Sequence, residues 1–109
     1  MSASYAVDRK RWSEMSIFDQ MGNIYSEVGR TFKAKQNHDQ ERYDQALTRA
    51  IDLFDATTLA LVERHSPKAK EVLRAKEEFL YACQAEGSSD EQGIDRYFMQ
   101  FAIAARLTR

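Results

Sequence analysis

The stretch Ala46-Leu47-Thr48-Arg49-Ala50-Ile51-Asp52-Leu53-Phe54-Asp55-Ala56-Thr57-Thr58-Leu59-Ala60-Leu61-Val62 decides the fold. It lies within residues 39–65, the longest segment of helical periodicity in the chain, and contains neither glycine nor proline. Tyr43, Leu47, Ala50, Phe54, Thr57, Leu61 and His65 recur at spacings of four and three, which puts all seven on one helical stripe. Leu53, Ala60, Ile51 and Val62 widen that stripe beyond a single seam. A helix with so broad an apolar face needs neighbours on more than one side.

The flanking segments supply them. Upstream, a helix is expected to start near Ser13 or Ser16, where Ser16 and Asp19 have the spacing of a capping box, and to stop around residues 35–37. Ile17, Met21, Ile24, Val28 and Phe32 form its stripe. Gly22, Ser26 and Gly29 share one edge of it; each glycine costs about 1 kcal/mol in a helix interior, so the edge predicts close approach of another backbone. Downstream, Ser66-Pro67 ends the central helix and starts a third, because serine caps well and proline suits the first helical turn. Ala69, Val72, Leu73, Phe79, Leu80 and Cys83 make the face of this third helix. After the turn Glu86-Gly87-Ser88-Ser89, a fourth helix is expected to reach Leu107. Its main stripe is Ile94, Tyr97, Phe98, Phe101 and Ala105, and a second stripe on the opposite side is Met99, Ile103 and Leu107. A helix apolar on two sides is buried on two sides, so the second stripe is expected to meet a second subunit or a partner protein.

The expected architecture is all-α: an antiparallel four-helix bundle, up-down-up-down, with short loops. Residues 1–12 read as an N-terminal arm carrying Tyr5, Trp12 and the basic triplet Arg9-Lys10-Arg11, and residues 13–109 as one domain. A chain of 109 residues buries roughly 65% of its unfolded surface, enough for one modest core. The formal net charge of −1 carries no global signal for nucleic acid or a membrane surface. No apolar run is long enough to span a bilayer, and the N-terminus lacks the apolar core of a secretory leader. A single cysteine, Cys83, excludes an intrachain disulfide and suits a reducing compartment, so the expected location is cytoplasmic.

Chemistry-bearing patterns are few. Lys76 falls in the middle of the third helix's apolar stripe and must snorkel, pair with a carboxylate or shift its pKa. Glu27 and Arg30, then Arg49, Asp52 and Asp55, stand at helical spacings of three, and Arg74 lies on the next helix. Glu27, Arg30, Arg49, Asp52, Arg74 and Lys76 are the expected binding residues, forming a polar groove for an anion or a partner's charged side chain. His38 and His65 are the only histidines, each at a helix end; without a Glu-x-x-His pair or a Cys/His cluster, no metal and no cofactor are expected. His38-Asp39 has the form of a metal-phosphohydrolase dipeptide but lacks the further ligands that chemistry requires. Asp52-x-x-Asp55 and Glu77-Glu78 are similar to the acidic helices of all-helical nucleotide pyrophosphatases, without that family's repeated glutamate pairs. There is no glycine-rich phosphate loop and no nucleophile elbow.

The segments Ser26-Glu27-Val28-Gly29-Arg30, Arg49-Ala50-Ile51-Asp52-Leu53, Val72-Leu73-Arg74 and Tyr97-Phe98, with Ala104-Ala105-Arg106, resemble a family of small prokaryotic all-helical proteins. The resemblance covers most of the chain after Trp12. No activity is attached to that family. What the resemblance implies is that Gly29, Arg30, Arg49, Asp52, Arg74 and Arg106 belong to one system.

Three functions remain in play. The leading expectation is a non-enzymatic interaction or regulatory protein that self-associates as a homo-oligomer, or meets a partner, through Met99, Ile103 and Leu107. A nucleic-acid accessory protein would use the basic arm with Lys68, Lys70 and Arg74, or Arg106 with Arg109. A small all-α nucleotide hydrolase would use the acidic helices.

Overall fold

The computed structural model describes residues 7–84 together with Gly93, Ile94, Arg96 and Phe98. It is all-helical, and no strand occurs among the described residues. Four helices pack together: α1 (Arg9–Ser13), α2 (Ile17–Gln36), α3 (Gln40–Glu63) and α4 (Lys68–Gln84). Gly93, Ile94, Arg96 and Phe98 are helical as well.

The helix starts follow their sequence signals. Ser16 caps α2 by accepting from the Asp19 amide, and Asp39 caps α3 by accepting from the Arg42 amide. At the head of α4, the Lys68 amide donates to the Ser66 hydroxyl. The helix ends carry a less expected device. His38 and His65 both sit at φ 56°, in the left-handed region. At each, the next amide reaches back five residues: Asp39 to the Ala34 carbonyl at 2.9 Å and Ser66 to the Leu61 carbonyl at 2.9 Å. The histidine amides themselves donate to Lys35 and Val62. This is the Schellman closure, with histidine where glycine is usual. His65 is therefore an exposed corner residue beyond the helix and not the last member of the central stripe.

The core gathers around α3. Ala50, Phe54, Thr57 and Leu61 are buried there, with Tyr43 and Leu47 half-buried at its start. α2 contributes Met21, Ile24, Val28 and Phe32, as its stripe predicts. An aromatic chain crosses the domain: Phe32 to Phe79 at 5.6 Å, Phe79 to Phe54 at 5.7 Å, and Phe54 to Phe98 at 5.7 Å between ring centres. Ile94 and Phe98 are buried, as the stripe of the fourth predicted helix requires. Tyr97, Met99, Phe101, Ile103, Ala105 and Leu107 lie outside the described residues.

Three expectations about faces change. The buried face of α4 is Ala69, Val72, Ala75, Phe79, Ala82 and Cys83, rotated away from Leu73, which is 45% exposed. Val62, counted on the wide face of α3, is 54% exposed. At Gly29 an added Cβ would meet nothing within 4 Å, so no backbone approaches there.

Residues 7–13 are strapped onto α3. A five-residue helix does not stand alone, so its order comes from tertiary contacts. Trp12 is 6% exposed and its indole donates to the Thr57 hydroxyl at 2.8 Å. The Trp12 carbonyl accepts from the buried Gln20 amide at 2.6 Å. Asp8 caps α1, and the Arg64 guanidinium donates to the Ser13 carbonyl. Tyr5 lies outside the described residues.

Candidate functional site

The expected polar groove resolves into separate clusters. Glu27, Arg30 and Arg49 come together between α2 and α3. Glu27 is 9% exposed and faces α3 one turn above Thr31. Its Oε2 accepts from Arg30 at 2.9 Å and its Oε1 from Arg49 Nε at 3.2 Å. A nearly buried carboxylate thus holds two guanidinium groups by its two oxygens. Its desolvation is offset by two charge-assisted bonds, and the arginines are fixed in direction.

Asp52 points elsewhere. Its Oδ1 accepts from Arg9 at 2.8 Å and its Oδ2 from the Val7 amide at 2.7 Å. It anchors the N-terminal strap. One charge of the basic triplet is therefore neutralised within the chain. Lys76 lies on the α3–α4 seam and donates to Asp55 at 2.7 Å. The lysine is half-buried and the carboxylate more open, so the amine is neither a solvent-pointing head nor a deeply buried base. Arg74 is exposed on α4 and joins none of these clusters. Met99, Ile103, Leu107, Arg106 and Arg109 lie outside the described residues.

A cleft of about 380 Å³ opens above the Glu27 cluster. Arg30, Lys33, Asn37, Asp39, Arg42, Gln45 and Arg49 line it, with Ala34 and Ala46 as its floor. Four cations face one carboxylate there, and Asp39 itself pairs with Arg42 at 3.5 Å. Lys33 and Arg42 were absent from the sequence-based set. The signal existed, since Lys33 follows Arg30 by three and Arg42 precedes Arg49 by seven, both same-face helical spacings. What the sequence does not contain is the packing of α2 against α3 that turns two rows into opposite walls.

On the other side of the α2–α3 corner, a second hollow of about 360 Å³ is lined by Lys35, His38, Asp39, Gln40, Tyr43 and Cys83, among others. Burial, and then the neighbouring Cys83 thiol, push the Tyr43 phenol above its ordinary value of 10.0. Lys35 crosses this corner to donate to the Ala82 carbonyl at 3.2 Å. Among the described residues no group of three or more His, Cys, Asp or Glu could hold a metal ion. Among the same residues no helix is long and apolar enough to cross a membrane.

No family model, no curated protein and no solved structure matches this chain.

Proposed function

We propose that this chain is a non-enzymatic, cytoplasmic interaction protein that self-associates, with the outer face of α4 as part of its contact surface. One observation carries the proposal: α4 leaves large apolar side chains on its outer face. It turns Ala69, Ala75 and Ala82 inward and leaves Leu73 and Tyr81 outside, the latter 68% exposed. Large apolar side chains on an outer face, with Leu59 and Val62 of α3 exposed as well, favour a protein contact.

The charges favour a second copy as the occupant. The first half of α4 exposes Lys68, Lys70 and Arg74 against Glu71; the second half exposes Glu77 and Glu78. A two-fold copy laid antiparallel sets each basic half on an acidic half, with Leu73 and Tyr81 at the centre. The same frame would have the helices alternate in direction, up-down-up-down. Two contacts support that alternation: Asp55 with Lys76, placed equally far to either side of the α3–α4 link, and Lys35 with Ala82 at the C-terminal ends of α2 and α4. The second stripe of the fourth predicted helix, Met99, Ile103 and Leu107, would extend the same surface. The nucleotide-hydrolase alternative loses support, because Asp52 and Asp55 each pair with a cation of the chain itself.

Sedimentation equilibrium over a wide concentration range tests this. The expected result is a dimer or larger species, dissociated by Leu73→Asp with Tyr81→Asp and unaltered in thermal stability as a monomer. Ile103→Asp, assayed in parallel, reports whether the last segment shares the contact. A wild-type chain that stays monomeric at every concentration overturns the proposal.

A further inference from the structure

We infer that the cleft between α2 and α3 is a binding site for a small molecule carrying a phosphate group. It is independent of the proposed α4 contact. Three features converge on it. First, Arg30, Lys33, Arg42 and Arg49 outnumber the two carboxylates they meet, Asp39 on the wall and Glu27 beneath, in a chain whose formal net charge is −1. Positive charge is concentrated in a concavity and is not spread over the surface, which focuses the field on one position.

Second, the arginines are held from below. Glu27 takes one N–H of Arg30 at 2.9 Å and one of Arg49 at 3.2 Å. A guanidinium has five donors in a rigid fork, so fixing one edge of Arg30 aims its plane before any ligand arrives, with Arg49 held as a fixed charge beside it. That is the geometry with which arginine takes up two oxygens of a tetrahedral anion. Lys33 and Arg42 are exposed at the rim, where they supply charge to a ligand that extends outward.

Third, the size fits. A volume of about 380 Å³ accommodates a phosphorylated small molecule, near the lower end of ligand pockets. A polynucleotide needs a continuous basic stripe, whereas Arg9 is neutralised by Asp52 and the exposed Lys68, Lys70 and Arg74 of α4 do not line this cleft. Asn37 and Gln45 on the walls offer amides for the uncharged part of the ligand.

The test is titration calorimetry of the full chain at low ionic strength with inorganic phosphate, pyrophosphate and a nucleoside 5′-triphosphate, without added metal. Saturable one-site binding is expected, tightening from phosphate to pyrophosphate. Loss of a charge-assisted contact weakens such binding by about tenfold, so Lys33→Ala with Arg42→Ala should weaken it by more than that. Both side chains are exposed, so the variant keeps its fold, which its circular dichroism melt verifies. Arg49→Lys keeps the charge and loses the fork, and should weaken binding without abolishing it. Lys68→Ala with Lys70→Ala, on α4, should leave the affinity unchanged. The inference is overturned by no saturable binding to any of the three anions, by equal weakening in the α4 variant, or by binding confined to a single-stranded oligonucleotide.

Discussion

The contact of α2 with α3 and that of α4 with α3 are built from different materials. α2 presents long side chains, Met21, Ile24, Val28 and Phe32, and closes its edge with the Glu27–Arg30–Arg49 cluster. Trp12 and the strap cover the other end of the same side of α3. α4 presents mostly small residues, with Phe79 and Val72 as its larger fully buried side chains, and closes its edge with the solvent-accessible Asp55–Lys76 pair. Small residues bring a helix close but bury little area, and burial contributes about 25 cal/mol per Å². The difference separates a side of the domain closed by large buried side chains from a side that leaves Leu73 and Tyr81 exposed.

The most forceful way to break this contrast is at Trp12. Trp12→Ala empties a buried indole site and is expected to cost about 3–5 kcal/mol in urea unfolding. A cost below that of an ordinary surface change would show that the strap is not part of the closed side. Next comes the polar cluster. Glu27→Gln replaces a charge that holds two arginines and should cost about 1–3 kcal/mol, the scale of hydrogen bonds to charged groups. A partly buried cluster is screened less than an open pair, so most of that cost should survive in molar salt.

Backbone changes sharpen the contrast further. Gly29→Ala sits in open helix and should stabilise α2 by about 0.5–1 kcal/mol. His65→Gly relieves a left-handed non-glycine residue at the corner joining α3 to α4 and should stabilise by up to about 1 kcal/mol. Thermal melts read both, and a loss of stability in Gly29→Ala would mean that a neighbour needs that space. The smallest effect belongs to the seam of α4. Lys76→Met removes a pair whose carboxylate is open to solvent and should change stability by under about 1 kcal/mol in either direction. A cost equal to that of Glu27→Gln would erase the distinction between the two contacts.

The long helices were legible because their apolar residues keep the helical period over several turns. The stripe from Leu47 to Leu61 and that from Met21 to Phe32 stand where the spacing puts them. α1 was not, since five residues hold too little periodicity and its order comes from Asp52 and Thr57, far along the chain. The face of α4 was legible at Ala69, Val72, Phe79 and Cys83 but wrongly took in Leu73, because Ala75 and Ala82 carry too little hydrophobicity to outweigh it in a pattern, although small residues best fit a close contact. His65 extended the stripe because spacing alone cannot tell the last helical residue from a left-handed corner. In the candidate site, Glu27 with Arg30 was visible as a local spacing. The convergence of Arg49 on the same carboxylate depends on how two helices pack and has no local trace.

The aromatic chain from Phe32 through Phe79 and Phe54 to Phe98 sets a hierarchy of opening. Phe54 is touched from α4 and from the last described residues at once. The backbone amides of α3 around Phe54 can therefore meet solvent only when several elements separate together. Their hydrogen exchange should follow the global unfolding free energy, while the amides of α1 exchange by release of the strap alone.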